Sequence, residues 1–178
     1  MEEELLEKLK SGDKEAFIML VDKYRKKVIS LCYSYTGDYG EAEDLSQEAF
    51  LSLYKSIESF RGDSSLSTYL YRITINKCLS YKKRINLKEF VGGLFGYYKE
   101  EVDYEEKAYV RQCIDALSKD LKTPVLLYYY LGLSYKEISE ILNISERAVE
   151  GRLYRAKGKI KSKIEKEEGL IWNKNGIL

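Results

Sequence analysis

The sequence predicts an all-α protein: two small helical domains joined by a flexible linker, the C-terminal one containing a helix-turn-helix. Three observations carry that prediction. Apolar residues recur at i, i+3 and i+4 spacing along nearly the whole chain. A single proline, Pro124, occurs in 178 residues, so little interrupts that periodicity. The pattern lapses over VGGLFGYYKEEVDYEE at 91–106, where three glycines lead into an acidic stretch.

Each element follows from its own signals. A first helix is expected from about residue 3 to 10, with Leu5, Leu6 and Leu9 on one side. Asp13 is placed to cap a second, in which Ala16, Phe17, Leu20, Val21, Tyr24, Val28, Leu31 and Cys32 recur at helical spacing. Asp38 followed by Glu41 reads as a capping box for a third, with Ala42, Leu45, Ala49, Phe50, Leu53 and Ile57 inward. After the polar break Phe60-Arg61-Gly62-Asp63-Ser64-Ser65, a fourth is expected from about Ser67 to Arg84, with Leu70, Ile73, Thr74, Cys78 and Tyr81 facing the others. Helical pattern resumes near Lys107 and carries Ala108, Cys113, Ile114 and Leu117. Thr123-Pro124 reads as an N-cap followed by proline at the first helical position, opening the apolar run Val125 to Leu131 that Gly132 ends. Ser134 and Glu137 form another capping box, Asn143-Ile144 a short turn, and Ser145 the cap of a last helix with Ala148, Val149, Leu153, Ala156 and Ile160 inward. The domains are therefore expected at 3–90 and 107–166, with 91–106 as the linker. In the linker, Leu94, Phe95, Tyr97 and Tyr98 offer apolar groups for docking; in the tail, Ile171 and Trp172 either pack back or lie free.

Composition removes several kinds of chemistry. The chain has no histidine, which excludes His-based triads, Cys2His2 zinc fingers and H-E-x-x-H metalloproteases. Cys32, Cys78 and Cys113 are odd in number and far apart, so they make neither a C-x-x-C pair nor a disulfide framework and are expected to be buried thiols of a reducing cytosol. No cofactor or metal set is visible. The opening MEEELLEKLKSGDKEA is acidic and amphipathic, and no apolar run approaches about 18 residues, so a soluble cytoplasmic protein is expected.

The net charge of +1 is an average over opposites. Residues 1–90 carry 15 basic and 15 acidic groups, residues 91–116 carry 3 and 6, and residues 117–178 carry 12 and 8. From Tyr69 to Lys88 there are six basic residues (Arg72, Lys77, Lys82, Lys83, Arg84, Lys88) and no acid. From Arg147 to Lys163 seven basic residues stand against the lone Glu150. Acids gather instead at the N-terminus and from Glu41 to Glu48. Two basic helices on separate domains suit an extended phosphate backbone better than two chance solvated faces.

Three constellations sharpen this. In LSYKEISEILNISERAVEGRLYRAKGKIKSK, Ile138, Ile141, Ile144, Val149 and Leu153 are spaced to pin a helix-turn-helix. That leaves Ser145, Glu146, Arg147, Glu150, Gly151 and Arg155 to face a major groove, with Arg152 and Lys157 reaching phosphate at its flank. Gly151 costs about 1 kcal/mol of helix propensity relative to alanine; close approach to DNA and plain tolerance both account for it. In the first domain, the loop of Phe60, Arg61, Asp63 and Ser64 lies beside Tyr69, Tyr71, Arg72, Asn76 and Lys77, aromatic and polar groups next to a positive helix. That set suits unstacked bases of single-stranded DNA, although Phe60 and Tyr69 are equally readable as core. Finally Asp44, Gln47 and Glu48 share one helix face. With no histidine or second acidic motif beside them, docking to a basic protein surface explains them better than acid-base or metal chemistry.

At these residues the chain resembles bacterial RNA polymerase sigma factors of the extracytoplasmic function (ECF) type, within the sigma-70 superfamily. The stretches that carry the likeness are EAEDLSQEAFLSLYKSIESFRGDSSLSTYLYRITINKCLSYKKR and ALSKDLKTPVLLYYYLGLSYKEISEILNISERAVEGRLYRAKGKI. A helix-turn-helix alone would also fit an ordinary regulator, but not the loop, the basic helix and the flexible span before it. The resemblance implies promoter recognition, DNA melting and transcription initiation, with no catalysis, cofactor or small-molecule substrate of its own. It implies that Asp44, Gln47 and Glu48 contact the clamp of core RNA polymerase, and that the loop from Phe60 to Ser65 takes a flipped base of the promoter −10 element. Tyr69, Arg72, Asn76 and Lys77 then hold the non-template strand, while the helix from Ser145 to Lys157 reads the −35 element and its domain docks on the polymerase flap. An anti-sigma factor, often linked to the membrane, is a further partner the resemblance implies. Four positions depart from the family habit: Tyr69 stands for a common tryptophan, Glu150 for a lysine or arginine, Gly151 for a serine, and Ser118 for a proline it can replace as a cap.

Overall fold

The computed structural model describes the backbone of residues 2–91 and 112–175, and the side chains of residues 4–82 and 112–166. Among the described residues every regular element is helical. In chain order these are α1 (Glu2–Lys10), α2 (Lys14–Thr36), α3 (Tyr39–Ser56), a 3-10 turn (Ile57–Ser59) and α4 (Leu66–Val91). A helical turn over 112–115 (α5) follows, then α6 (Lys119–Val125), a π turn (Leu126–Tyr130), α7 (Tyr135–Leu142) and α8 (Glu146–Asn175). The chain divides into two compact units, the first built on α1–α4 and the second on α5–α8. Linker residues Leu94, Phe95, Tyr97 and Tyr98, the restart at Lys107 and Ala108, and the side chains of Ile171 and Trp172 lie outside the described residues.

In the first unit the caps fix where each helix starts. Asp13 Oδ1 accepts from the N–H groups of Glu15 (2.9 Å) and Ala16 (3.1 Å), satisfying two donors that α2 cannot use internally. Gly37 ends α2 in the left-handed region (φ 73°), where a side chain would be strained, and its N–H bonds to Tyr33 O. Asp38 then takes the N–H of Glu41 at 2.9 Å, which is the Asp38 half of the expected capping box. With their ends fixed, α2, α3 and α4 pack on one another in all three pairings, and α1 closes against α2 and the 3-10 turn. Leu20, Val28 and Cys32 of α2, Ala42 and Ala49 of α3, and Leu70 and Cys78 of α4 are entirely excluded from solvent. The thiols of Cys32 and Cys78 lie 3.9 Å apart in this core, and all three cysteines are buried and reduced. Two buried hydroxyls are satisfied: Thr74 donates to Leu70 O at 2.9 Å, and Thr68 bonds Ser65 Oγ at 2.8 Å. α4 runs past the expected stop at Arg84 to Val91.

The second unit corrects one expected boundary. Thr123-Pro124 does not open a helix; both residues lie buried inside α6, which begins at Lys119. Ser118 occupies the cap position, but its carbonyl does the work, accepting from Leu121 (2.9 Å) and Lys122 (2.8 Å), and its side chain makes no capping bond. Proline cannot donate to the carbonyl four residues back, and α6 gives way immediately afterwards to the wider π turn. Lys122 is 4% exposed and its Nζ reaches Asp115 Oδ1 at 2.6 Å, tying α5 to α6. α6 packs against α8 and the π turn. The helix-turn-helix signals are all realised. Ser134 Oγ accepts from Glu137 N while Glu137 Oε2 accepts from Ser134 N (2.8 Å), a complete capping box. Asn143 turns the chain in the left-handed region (φ 52°) and Ile144 N bonds Ser139 O. Ser145 Oγ then takes the N–H of Ala148 at 3.2 Å to start α8, and Ile138, Val149 and Ala156 are fully buried.

Because Leu70 is wholly buried, Leu70→Ala is expected to destabilise the first unit by about 2–5 kcal/mol. Urea denaturation followed by circular dichroism checks this, and a change within about 0.5 kcal/mol, typical of surface positions, would contradict the packing described.

Candidate nucleic-acid and partner-binding faces

The inward side of α3 consists of Ala42, Leu45, Ala49 and Leu53, all buried. Helical geometry therefore sends Asp44, Gln47 and Glu48 outward together, and all three are exposed. The same face continues into two exposed apolar side chains that the sequence reading passed over, Leu51 (55% exposed) and Tyr54 (42%). Tyr54 meets the Phe17 ring edge-on at a centroid distance of 5.0 Å. The spacing 44, 47, 51, 54 was the signal that could have found them. An acidic start followed by apolar contact area suits a protein partner, since it combines charge steering with surface worth burying.

The loop after the 3-10 turn divides its residues between two tasks. Phe60 is buried, and its ring stacks on Tyr69 with centroids 4.6 Å apart and planes 24° from parallel. Tyr69 is half-buried and donates its hydroxyl to Ser56 Oγ at 2.9 Å. Ser65 accepts from Thr68 N and so starts α4. What the loop presents to solvent is Arg61, Gly62 and Asp63, with Ser64 half-buried; Gly62 holds φ 80°, a turn only glycine makes without strain. Along α4, Tyr69, Arg72, Asn76 and Lys77 recur at i, i+3, i+7 and i+8, a single helix face. Asn76 is exposed, and Lys77 Nζ stands 3.3 Å from Glu48 Oε2 across the α3–α4 seam. An open groove of about 470 Å³ lies there, lined by Leu45, Glu48, Ile73, Asn76, Lys77 and Tyr81 among others.

On α8 the inward residues Val149, Leu153 and Ala156 are buried, so Ser145, Glu146, Arg147, Glu150, Arg155 and Lys157 project outward, while Gly151 and Arg152 are partly covered. Arg155 Nε folds back on Gly151 O at 3.1 Å. The sequence reading missed Tyr154, which is 80% exposed on the same face as Arg147, Glu150 and Gly151. Its spacing from Gly151 was the available signal. Tyr135, at the start of α7, leans on Tyr128 (5.4 Å between centroids). Its phenol is held above the ordinary tyrosine range, first by partial burial and then by Tyr128, the Glu150 carboxylate and Tyr129. It is accordingly a neutral hydrogen-bonding group beside α8. Among the described residues no cluster of His, Cys, Asp or Glu could hold a metal ion.

Two family models match the chain: Sigma-70 region 2 over residues 20–86 and Sigma-70, region 4 over residues 107–160. The chain is 34% identical to the ECF RNA polymerase sigma-E factor of Haemophilus influenzae, over 90% of this chain and 94% of that protein. It is 32% identical to the RNA polymerase sigma-H factor of Pseudomonas aeruginosa, over 88% and 90% respectively. The fold is similar to that of CnrH, solved in complex with the cytosolic domain of CnrY, with TM-score 0.73 at 22% identity, covering 92% of this chain and 97% of that one. This chain belongs to the sigma-70 family of RNA polymerase sigma factors, in its ECF group. It is a transcription initiation factor and not an enzyme.

A Cβ built on Gly151 meets nothing within 4 Å, so the fold itself does not require glycine there. Gly151→Ala is expected to stabilise the second unit by about 0.5–1 kcal/mol, read as a higher urea midpoint. A lower midpoint would mean that the α8 backbone is strained at this position.

Proposed function

We propose that the exposed faces divide the work of initiation between them. The observation that carries this reading is the segregation of charge onto different helices: acids and apolar groups on α3, basic residues on α4 and α8. Asp44, Gln47 and Glu48, extended by Leu51 and Tyr54, dock on the clamp of core RNA polymerase. The stacked pair Phe60–Tyr69 forms the floor of a pocket for one flipped base of the −10 element, and Arg61, Asp63 and Ser64 form its rim. Arg72, Asn76 and Lys77 hold the phosphates of the non-template strand, where positive charge and sequence tolerance suit a single strand.

In the second unit Ser145, Glu146, Arg147, Glu150, Gly151, Tyr154 and Arg155 face the major groove of the −35 element, with Arg152 and Lys157 on its phosphates. Glu150 is the distinguishing residue. A carboxylate repels phosphate but accepts from cytosine N4, so this chain reads a −35 sequence with a cytosine where cationic relatives select otherwise. The unit bearing α8 docks on the polymerase flap, and the two domains correspond to residues 3–90 and 107–166 with a linker between them. Among the described residues no helix is long and apolar enough to cross a membrane. The protein acts in the cytoplasm, and an anti-sigma factor, membrane-linked in one variant of this reading, is its regulator. A sigma factor of Bartonella quintana, similar in fold to this chain, was solved in complex with the anti-sigma factor NepR, and CnrH with the cytosolic domain of CnrY.

Transcription in vitro from a pool of genomic fragments, with core polymerase and with or without this protein, tests the function: start sites sharing a −10 and −35 pattern are expected only when it is added. Arg72→Ala is expected to reduce open-complex formation while leaving duplex −35 binding intact; equal losses in both would overturn the division between units. Lys157→Ala is expected to lower the salt-dependence slope of duplex binding by about one counterion without changing sequence preference. Replacing both Asp44 and Gln47 with alanine is expected to weaken capture by core polymerase with an unchanged circular dichroism spectrum.

A further inference from the structure

Glu48 and Lys77 belong to surfaces with opposite tasks, yet they touch. Glu48 lies on the acidic face of α3, four residues from Asp44 and one from Gln47. Lys77 lies in the stretch of α4 from Tyr69 to Lys88 that carries six basic residues and no acid. Their charged atoms are 3.3 Å apart, with side chains 55% and 35% exposed. The neighbouring α4 residues on the groove, Ile73, Asn76 and Ser80, are all uncharged. Glu48 is the α3 carboxylate that pairs with Lys77, and no carboxylate on α4 within that stretch can take its place.

A lysine ammonium is a compact charge on a flexible stem, and a carboxylate competes with a phosphate oxygen for the same position. A basic partner that engages Asp44 and Gln47 reaches Glu48 on the same face. We propose that Glu48 stands in for a DNA phosphate in the solitary chain: it occupies Lys77 until the polymerase takes the α3 face, and then releases Lys77 to the single strand. This inference rests on the assignment of α3 to polymerase and α4 to single-stranded DNA. It makes one ion pair the link between docking and DNA capture, and it lowers the affinity of the unaccompanied protein for exposed single strands. Because both side chains are solvated, the restraint is small, of the size expected for a surface ion pair.

The test uses the full-length chain and fluorescence anisotropy of a labelled, mixed-sequence single-stranded oligonucleotide at low salt. Glu48→Gln is expected to tighten binding about two- to five-fold, while Lys77→Gln weakens it. Adding Glu48→Gln to Lys77→Gln is expected to bring no gain, and with saturating core polymerase the advantage of Glu48→Gln is expected to disappear. No gain from Glu48→Gln, or an equal gain in the Lys77→Gln background, would overturn the inference, the second by showing a general loss of negative charge. Persistence of the gain on saturating polymerase would overturn the release step. If Lys77→Gln binds as tightly as the unaltered protein, the assignment of α4 to single-stranded DNA fails, and the inference with it.

Discussion

Burial of the inner sides of α2, α3 and α4 against one another is the constraint on which the first unit depends. Leu20, Ala42, Ala49 and Leu70 have no exposure, and small alanines on α3 let the neighbouring helices approach closely. Once those residues are committed inward, helical geometry dictates what faces out. On α3 it is Asp44, Gln47 and Glu48; on α4 it includes Asn76 and Lys77. The core therefore arranges function indirectly, by fixing the rotation of each helix about its own axis. The same logic governs the second unit, where burial of Ile138, Val149 and Ala156 turns Arg147, Glu150 and Tyr154 outward.

Electrostatics then separates partners that would otherwise compete. A chain of near-zero net charge is not attracted as a whole to polymerase or to DNA, so selectivity comes from local fields of opposite sign on different faces. The cost of such an arrangement is internal attraction between those faces. It is met at the α3–α4 seam, where Glu48 and Lys77 form an ion pair across 29 residues of sequence.

Much of this was legible in the amino-acid order, because helix ends are local chemistry. Asp13, Asp38, Ser134 with Glu137, Asn143 and Ser145 act at the ends of helices where their sequence contexts predict. Family membership was equally legible, in the order of DLSQEAF, SFRG, TYLYRITIN and LSYKEISEIL. Thr123-Pro124 misled because a proline at the first helical position and a proline inside a short helix before a π turn share the same local sequence; only the packing of α6 on α8 distinguishes them. Leu51, Tyr54 and Tyr154 were missed because exposed apolar side chains look like core residues until the buried face is known. The Phe60–Tyr69 stack and the Glu48–Lys77 pair join residues of different elements, and nothing local to either residue announces its partner.

The central claim is that different helix faces of this chain meet different macromolecules, and site-specific photo-crosslinking tests it most directly. A photoreactive amino acid placed in turn at Gln47, Asn76 and Tyr154, in holoenzyme assembled on promoter DNA, reports what each face touches. The account predicts polymerase adducts from position 47 and DNA adducts from positions 76 and 154. DNA adducts from position 47, or polymerase adducts alone from positions 76 and 154, would contradict it.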